Sequence, residues 1–523
     1  MNHSLAAGAT VGALPLSIPT ASQHAAFYLQ LFATASVLLL AAVYARREKL
    51  YPALPAAFLH EKNDYEKAKR DWTTRASDVV SHGLRAFQKP FQVVSPVGLK
   101  IVLPNSYANE IKSDSRLSFA KWASNEFLGH LNGFEGFHNV LNNPVFAETV
   151  RTKLTQALGT MTEELCDESE LTLLDNLGEP QEWTGLTLKP FILEYIARMS
   201  TRVFLGAEQC RNRGWLDIFI AFTVEAFKAI QELRKYPPWL RPLVNLYLPG
   251  SRKVRATTAK ARALIVPEIE RRRAKVAEAA ARGEKTKGRD TIAWMEEVAK
   301  GRPYDPVLNQ LIFSVVALHT TGDLLTHAIF DLVTHPDVMD DLRDEVRQVL
   351  KEDGWKKTSL YKMKLMDSFL KESQRLHPPT LLTLNRVAES ALTLSDGTHI
   401  PKDAVLCVSM ENLSDPALYP DPAAFDARRF LRLRERPGQE NGWQFVTTSP
   451  EHLGFGHGTH ACPGRFFASN EAKVALAYLL LMYDLKLPDG VTERPPTLKS
   501  SAELFADPTA RIDFRRRAES VPR

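Results

Sequence analysis

The strongest chemical signature lies near the C-terminal end, where a cysteine occupies a glycine-rich loop directly before a predicted helix. From Phe455 to Arg465 the sequence is Phe-Gly-His-Gly-Thr-His-Ala-Cys-Pro-Gly-Arg, with the cysteine at position 462. The free amides at a helix N-terminus stabilise a thiolate, and glycines let backbone amides approach its sulfur. His460, two residues before Cys462, can meet an anionic group. Such a thiolate can act as a nucleophile or as a metal ligand.

The order Phe-x-x-Gly-x-His-x-Cys-x-Gly resembles the haem-binding loop of the cytochrome P-450 family at every defining position. The resemblance implies that Cys462 is the axial thiolate ligand of haem b and pushes electron density onto the iron. It also implies that Phe455 shields the sulfur, that His460 bonds a haem propionate and that Gly464 belongs to the cofactor-binding loop. By family position, Arg386 supplies a second propionate contact.

A second motif pairs opposite charges on a predicted helix. Glu372 and Arg375 are three residues apart, so the carboxylate and the guanidinium share one helix face. Their position before a Leu-His-Pro-Pro sequence resembles the K-helix motif of the family. A later Phe-Asp-Ala-Arg-Arg-Phe sequence resembles the segment that supplies a second arginine, here Arg429, although the usual Pro-Glu pair is Ala-Arg. The three residues are expected to form an architectural, fully bonded network.

A third motif, Ala-Leu-His-Thr-Thr from Ala317 to Thr321, lies midway along a long predicted helix. In the family this place reads Ala-Gly-x-[Asp/Glu]-Thr, where the helix opens a groove for O₂ and the threonine relays protons. Thr321 matches, whereas Leu318 replaces the glycine and Thr320 replaces the acid. Because a hydroxyl does not relay protons as a carboxylate does, water or Asp323 is expected to substitute. Alternatively, the threonines only hydrogen-bond to the helix backbone.

The same motif, together with Leu-Gly-Phe-Gly-His-Gly at residues 453–458, resembles fungal enzymes of secondary metabolism, many of which oxidise terpenoids. The resemblance implies monooxygenation of an apolar terpenoid or meroterpenoid; a polyketide, alkaloid or peptide-derived substrate is the alternative. By family position, the substrate pocket has four wall residues, each of which could instead be ordinary core: Phe313, Ala317, Leu382 and Phe505.

The elements that must position these residues are mainly helical. Helical periodicity dominates from about residue 63 to residue 375 and returns at the end of the chain, with predicted helices at 152–165, 188–204, 215–232, 305–334 and 466–483. Strand signals are short, and a Ser-Asp-Gly turn predicts a hairpin over 392–400. The predicted fold is therefore mainly α with small β-sheets over residues 63–523, and the family resemblance implies that it is the cytochrome P-450 fold.

The N-terminal region predicts a single membrane anchor. Residues 25–45 are almost entirely apolar, no charged residue precedes Arg46, and a helix of this length spans about 30 Å. The basic residues that follow place the C-terminal side in the cytosol. A cleaved signal peptide and a buried core helix are the alternatives. The predicted organisation is a lumenal segment 1–24, an anchor 25–45, a basic and proline-rich hinge 46–62 and a cytosolic haem-thiolate domain 63–523.

Composition bounds the remaining functions. The chain has 523 residues, 24% of them charged, a net charge of +5 and four cysteines without a CxxC pair. These values argue against a disordered chain, a disulfide scaffold and a nucleic-acid binder. No nucleotide-binding loop is visible, so electrons from NADPH are expected through a diflavin reductase, with cytochrome b5 as a second candidate donor. The expected location is the endoplasmic reticulum membrane.

Three other functions compete with the monooxygenase hypothesis. The missing acid at Thr320 suggests a haem-thiolate enzyme that works without a reductase, such as a peroxide-driven or rearranging type. A membrane-tethered haem sensor is a second alternative. A hydrolase with Cys462 as nucleophile is a third and requires a base, for which His457 and His460 are the candidates. Cys166, Cys210 and Cys407 lack any comparable setting and are expected to be packed thiols.

Overall fold

The computed structural model describes residues 28–34, 36, 49–58, 64–284 and 288–518. The chain divides into two compact units, Met1–Leu50 and Tyr51–Arg523. The described residues 28–34 and 36 of the first unit are helical. The predicted lumenal segment and most of the predicted anchor lie outside the described residues, so the anchor remains a prediction.

Helices dominate the second unit, which confirms the prediction of a mainly helical body. Numbered in chain order, the described helices are α1 (Tyr65–Phe87), α2 (Ala108–Ile111), α3 (Phe119–Glu126), α4 (Gly136–Asn139), α5 (Pro144–Glu148), α6 (Thr155–Leu177), α7 (Leu188–Phe204), α8 (Arg213–Arg234), α9 (Arg241–Tyr247), α10 (Pro249–Ala281), α11 (Thr291–Ala299), α12 (Pro306–Val333), α13 (Pro336–Asp353), α14 (Lys357–Lys362), α15 (Lys364–Leu376), α16 (Arg429–Arg434) and α17 (Arg465–Met482). A π-helical turn, Thr149–Leu154, precedes α6 where the sequence predicts an α-helix from residue 152.

The strands form small sheets at the edges of the helical body, as predicted. They are β1 (Phe91–Ser95), β2 (Gly98–Leu103), β3 (Leu117–Ser118), β4 (Thr184–Thr187), β5 (Leu382–Ala388), β6 (Leu392–Thr393), β7 (His399–Ile400), β8 (Val405–Ser409), β9 (Tyr483–Lys486), β10 (Thr497–Ser500), β11 (Glu503–Ala506) and β12 (Arg511–Arg516). The largest sheet has the order β1-β2-β8-β5-β3, with β2 and β8 parallel and the other pairs antiparallel. Strands β6 and β7 form the predicted hairpin, and β10 pairs with β11.

Helix α12 runs through the centre of the body. The Asp305 carboxylate caps it by accepting hydrogen bonds from the amides of Val307 and Leu308, and Pro306 occupies its first turn, a position that needs no amide donor. Among the described residues, it is the one helix long and apolar enough to cross a bilayer, and most of its surface is buried inside the protein. Its apolar character is therefore accounted for by core packing.

The cysteine loop leads into α17, and the body around it packs in two large hydrophobic clusters. Helices α12 and α17 belong to the main hydrophobic cluster, which also contains α6 and α7. Strand β5 contributes to a second cluster with β8 and the segment around residues 410–433. Helix α17 is buried on almost every face after its first turn, which fixes the residues just before it.

Candidate active site

Cys462 lies at the end of the loop that leads into α17. Its backbone amide donates to the Phe455 carbonyl at 2.8 Å, and the Phe455 ring packs against Phe445 with 5.1 Å between centroids. The backbone amides of Gly464 and Arg465 favour the thiolate form of the sulfur. Burial raises the pKa of the Cys462 thiol, while these amides and the Arg465 guanidinium oppose the rise. A thiolate here has donors on the protein side and is stabilised further by a coordinated metal ion.

Two glycines shape the loop and press it against α2. Gly456 and Gly458 have φ values of +68° and +74°, a region that L side chains rarely adopt. A Cβ atom on Gly458 would lie 2.4 Å from the carbonyl oxygen of Lys112 at the end of α2. The Thr459 amide donates to the Ser113 hydroxyl at 3.2 Å. The cysteine loop and α2 are therefore packed at backbone contact distance.

A buried arginine, Arg386, lies near His460 of the cysteine loop. Arg386 on β5 is 2% exposed; its Nη1 donates to the Asn385 carbonyl at 2.7 Å, but its buried Nη2 has no partner among the described residues. Its guanidinium lies 5.8 Å from the Phe119 ring, which in turn lies 6.3 Å from the His460 ring. Burial lowers the pKa of Arg386 to about 10. Burial, followed by the charges of Arg386 and Arg151, lowers the pKa of His460.

This arrangement fits haem. A buried guanidinium without a carboxylate is costly, and no described acidic side chain forms an ion pair with Arg386. An anionic group near Arg386 and His460 supplies the missing acceptor, as a porphyrin carboxylate does. Within the described ranges, no cluster of three or more His, Cys, Asp or Glu side chains could hold a metal ion. A metal that arrives inside a porphyrin needs only one protein ligand, which Cys462 offers.

The structure brings Glu372, Arg375 and Arg429 together, as the sequence motif predicts. Arg375 donates from Nε and Nη2 to both Glu372 oxygens at 2.8 Å, and Arg429 donates from Nε to Oε1 at 3.0 Å. All three side chains are buried. Their other N–H groups bond to backbone carbonyls of one connecting segment, those of Leu413, Pro420, Asp421, Pro422 and Ala424. The network ties this segment to α15.

The two threonines of α12 lie in different environments. Thr321 is 3% exposed. Thr320 is exposed, and its hydroxyl donates to the Val316 carbonyl at 2.8 Å. Val316, one turn earlier on the same face, is 44% exposed. Val316 and Thr320 therefore form an exposed strip on a helix that is otherwise largely buried.

Two of the predicted pocket residues lie inside the packed core. The Phe313 ring is 2% exposed and lies between Phe146 and Phe204, with 4.6 Å between centroids on each side. Leu382 is 3% exposed within the cluster formed by α1 and β1. Neither side chain offers surface to a ligand in this conformation. The neighbouring Val316 is the wall residue that the exposure pattern favours.

The other two predicted pocket residues flank an ion pair. Ala317 lies next to the exposed face of α12, and Phe505 on β11 is partly buried. Lys189 Nζ lies 5.3 Å from the Phe505 ring centroid and 2.7 Å from Asp323 Oδ1. The same Asp323 oxygen accepts the Ala506 amide at 3.1 Å. The residue expected to substitute for the missing acid is thus bonded to β11.

The sequence analysis did not single out three residues that the structure places near the candidate site residues: Val316, Arg151 and Lys189. Val316 could have been found from the sequence, since it lies one helical turn before Thr320. Arg151, whose charge acts on His460, and Lys189, which pairs with Asp323, come from distant segments of the chain. No local pattern connects those two residues to the site.

The histidine that a cysteine hydrolase would need is held elsewhere. His457 Nε2 lies 3.2 Å from Asn109 Oδ1 and 3.4 Å from Lys112 Nζ. Over the part of the chain that the structure describes, no hydrogen bond joins the Cys462 sulfur to His457 or His460. The site therefore lacks the nucleophile–base contact that defines such a hydrolase.

The other three cysteines are buried thiols, as expected. Cys407 and Cys210 are fully buried, and burial raises the pKa of each to about 12. Burial likewise raises the pKa of Cys166. None of them is poised for thiolate chemistry at neutral pH.

Comparison with known proteins gives one consistent result. The sequence model of the family described as Cytochrome P450 matches residues 98–514. Cytochrome P450 monooxygenase 1 of Gibberella fujikuroi is 43% identical, covering 83% of this chain and 99% of that protein. The monooxygenase trt6 of Aspergillus terreus is 41% identical over 87% of this chain and 92% of its own length. The retinoic acid-bound cyanobacterial CYP120A1 covers 89% of this chain and 100% of its own, with a TM-score of 0.64 at 17% identity, which supports the fold.

Proposed function

The chain belongs to the cytochrome P450 family, and we propose that it oxidises an apolar terpenoid or meroterpenoid intermediate of fungal secondary metabolism at an unactivated C–H bond. Family membership makes it an oxidoreductase that incorporates oxygen from O₂, with a thiolate-ligated haem and electrons derived from NADPH. The proposal adds the substrate class and assigns roles to individual residues.

The observation that carries the assigned residue roles is the setting of Cys462. The backbone amides of Gly464 and Arg465 at the start of α17 favour its thiolate form, and Arg386 presents a buried, incompletely bonded guanidinium near His460. Cys462 would hold the haem iron, and Arg386 and His460 would bind the propionates. When bound, the haem supplies the activation of O₂ that no protein side chain provides.

The proton supply is assigned to Thr321. It shares the α12 face of Ala317 and is buried. In this proposal its hydroxyl holds a proton and passes it to a bound water. Thr320 is the second candidate, although its hydroxyl is committed to the Val316 carbonyl. Asp323 is bonded to Lys189 and Ala506, so bound water is the more suitable source of protons.

Two further assignments concern the surroundings of the domain. We assign residues 25–45 to a single-pass anchor in the endoplasmic reticulum membrane, with the domain facing the cytosol, because this segment is apolar and basic residues follow it. We assign electron delivery to an NADPH-dependent diflavin reductase, with cytochrome b5 as a second donor, because the sequence shows no nucleotide-binding motif. An anchored enzyme is suited to an apolar substrate dissolved in the bilayer.

One observation keeps a second function under consideration. The acid usual in the family is replaced by Thr320, whose hydroxyl bonds to the helix backbone. This arrangement favours a haem-thiolate rearrangement that requires neither O₂ nor a reductase. Turnover that persists without NADPH and reductase would select this alternative.

The ligand assignment is tested by carbon monoxide difference spectroscopy on reduced membranes that contain the full chain. Wild-type protein is expected to show the red-shifted band of thiolate-ligated haem, and Cys462→Ala is expected to lose it. Cys407→Ala is the matched control, because this thiol is buried between strands and should leave the band intact. A histidine-type band in the wild type, or a thiolate band in Cys462→Ala, would refute the assignment.

The substrate class is tested by comparing the metabolites of a strain that lacks this protein with those of its parent. An accumulated, less oxidised terpenoid that membranes with this protein, reductase and NADPH convert to a product carrying one more oxygen is the expected result. Accumulation of a polyketide, alkaloid or peptide-derived compound would replace the proposed class.

A further inference from the structure

The hairpin β10–β11 brings Phe505 next to α12. Its turn is held by the segment before β5: the Leu381 amide donates to the Ala502 carbonyl at 2.8 Å, and the Leu504 amide donates to the Pro379 carbonyl at 3.1 Å. These backbone bonds fix the turn of the hairpin. They do not reach the far end of β11, where Phe505 and Ala506 lie.

The far end of β11 is held by a pair of opposite charges. Asp323 Oδ1 on α12 accepts the Ala506 amide at 3.1 Å, and Lys189 Nζ at the start of α7 donates to the Ala506 carbonyl at 3.2 Å. The carboxylate and the ammonium lie 2.7 Å apart. Both backbone groups of Ala506 are thus bonded to one ion pair, which joins α7, α12 and β11.

The pair is largely shielded from water, and neither member has a second ion-pair partner among the described residues. The exposed fractions of the two side chains are 10% for Lys189 and 17% for Asp323. Over the described residues, each forms its one ion pair with the other. A charge pair in this environment interacts more strongly than one in water, and loss of either member leaves a poorly solvated charge behind.

The same charge is in contact with Phe505. Lys189 Nζ lies 5.3 Å from the Phe505 ring centroid, a distance at which an ammonium ion and an aromatic ring attract each other. The Phe505 ring is therefore held in two ways. The adjacent residue Ala506 is bonded to the ion pair, and Lys189 lies over the face of the ring. A shift of Lys189 would move the ring as well as the strand.

Strand β10 has an anchor of its own at the same open end of the hairpin, where Thr497 pairs with Ala506. Arg494 Nε, just before β10, donates to Asp331 Oδ1 at 2.6 Å, and the Ser373 hydroxyl donates to the second oxygen of the same carboxylate at 2.6 Å. Asp331 lies two helical turns after Asp323 on α12. Loss of the Asp323–Lys189 pair should therefore loosen the end of β11 while the start of β10 stays in place.

We infer that the Asp323–Lys189 pair is a positioning device that fixes Phe505 against α12 and so sets the shape of one wall of the substrate pocket. The inference rests on the proposed function, because it takes Phe505 as a wall of that pocket. Asp323 and Lys189 act through the strand and the ring and are not catalytic residues.

The test uses two ligands of different size on the haem-loaded full chain. Imidazole can bind the haem iron without reaching the pocket walls, whereas clotrimazole carries three aryl rings that must fit between them. Dissociation constants are measured from the absorbance change of the haem. Asp323→Asn and Lys189→Met are expected to weaken clotrimazole binding about tenfold, close to 1.4 kcal/mol, and to leave imidazole binding unchanged.

Three further variants support the comparison. Lys189→Arg keeps the charge and is expected to bind clotrimazole nearly as the wild type does. Phe505→Ala is expected to weaken clotrimazole binding as the pair variants do. Glu164→Gln is the matched control, since it removes an ion pair with Arg202 in which each side chain is 20% exposed and which lies between α6 and α7.

Hydrogen exchange of the backbone gives a readout that does not depend on the haem. Peptides covering residues 503–506 are expected to exchange faster in Asp323→Ala and Lys189→Met than in the wild type, while peptides covering 497–500 are unchanged. If both segments exchanged in every variant as they do in the wild type, the positioning role would be contradicted.

The outcomes separate the inference from the proposed function. If Phe505→Ala weakens clotrimazole binding but both pair variants bind it within twofold of the wild type, the pair does not position the wall and the inference is wrong. Unchanged binding in Phe505→Ala would remove Phe505 from the pocket wall and overturn the inference, while leaving haem-thiolate chemistry untouched. Equal weakening of imidazole and clotrimazole would indicate a general disturbance and also overturn it. A wild-type protein without a haem–azole spectrum would instead refute the proposed function.

Discussion

The guanidinium of Arg386 is buried and forms no ion pair with any described carboxylate. Burial lowers its pKa only to about 10, so it stays charged at neutral pH. A protein keeps such a charge where an anionic ligand compensates it, and the nearby His460 ring strengthens that conclusion. At the scale of single residues, Arg386 and Cys462 are the residues proposed to hold the cofactor, Arg386 through its charge and Cys462 through its sulfur.

The two threonines give a prediction at the same scale. Thr321→Ala should release most reducing equivalents as hydrogen peroxide and lower the product formed per NADPH about tenfold, because the hydroxyl that holds the proton is lost. Thr320→Ala should change this ratio much less, since its hydroxyl donates to the Val316 carbonyl. NADPH consumption, peroxide and product are measured together, using the compound that accumulates in the strain lacking the protein.

Thr321→Ser is the control, because it keeps the hydroxyl and should retain most of the coupling. Unchanged coupling in Thr321→Ala would remove Thr321 from the proton supply. A larger loss in Thr320→Ala than in Thr321→Ala would transfer the role to Thr320.

At the scale of elements, the site depends on how closely the cysteine loop and α2 approach each other. Gly458 has a positive φ value and leaves 2.4 Å between an added Cβ atom and the Lys112 carbonyl. Hydrogen bonds on both sides of this contact, from Thr459 to Ser113 and between His457 and Asn109, hold the two elements together. The loop thus takes its shape from α2 as well as from α17.

This contact predicts that Gly458→Ala damages the haem site more than an ordinary substitution of a positive-φ glycine. We expect a cost of about 1–2 kcal/mol from the backbone conformation and about 1–3 kcal/mol more from the clash with Lys112. The measurement is the temperature at which half of the thiolate-type carbon monoxide band is lost.

Gly490→Ala is the matched control. Gly490 also has a positive φ value, +84°, but an added Cβ atom would meet nothing within 4 Å. It should show the backbone cost alone and keep the haem band. Equal effects of the two substitutions would mean that the contact between α2 and the loop does not support the haem site.

At the scale of the whole molecule, the helical body buries ionisable groups that the site does not use. Glu471 on α17 is fully buried; its Oε1 accepts the Ser200 hydroxyl at 2.7 Å, and its Oε2 has no partner among the described residues. Burial raises the pKa of Glu471 to about 8, although the bond from Ser200 opposes the rise. The folded protein therefore keeps this carboxyl protonated at neutral pH.

A dependence of stability on pH follows. The folded-state pKa lies above the unfolded value of about 4.3, so the stabilisation is complete below that value and is lost as pH rises through about 8. One proton changes the free energy of unfolding by at most about 1.4 kcal/mol per pH unit in this window. Glu471→Gln should flatten the decline between pH 5 and pH 8.5, as measured by thermal unfolding at several pH values.

Glu164→Gln serves as the control, because that side chain is partly exposed and paired with Arg202. Its profile should follow that of the wild type. A Glu471→Gln profile parallel to the wild type would mean that Glu471 is ionised in the folded state.

Local sequence patterns predict the family, the cofactor and several helix bounds. The loop around Cys462, the Glu372–Arg375 spacing and the Ala-x-His-Thr-Thr sequence indicate the family and the cofactor, because their chemistry depends on neighbours a few residues away. Helical periodicity also predicts the bounds of α7 and the course of α12 closely, since burial of one face recurs along the same helix.

Contacts between distant segments were decided only by the tertiary structure. The unmet charge of Arg386, the pairing of Lys189 with Asp323 and the enclosure of Phe313 by two other rings each join residues from separate elements. Burial and ion pairing depend on which surfaces pack together in the folded chain. A local sequence pattern does not reveal which distant segments will be in contact. For this reason a local sequence pattern predicts the iron ligand, while only the folded chain decides which side chains of α12 are buried and which are exposed.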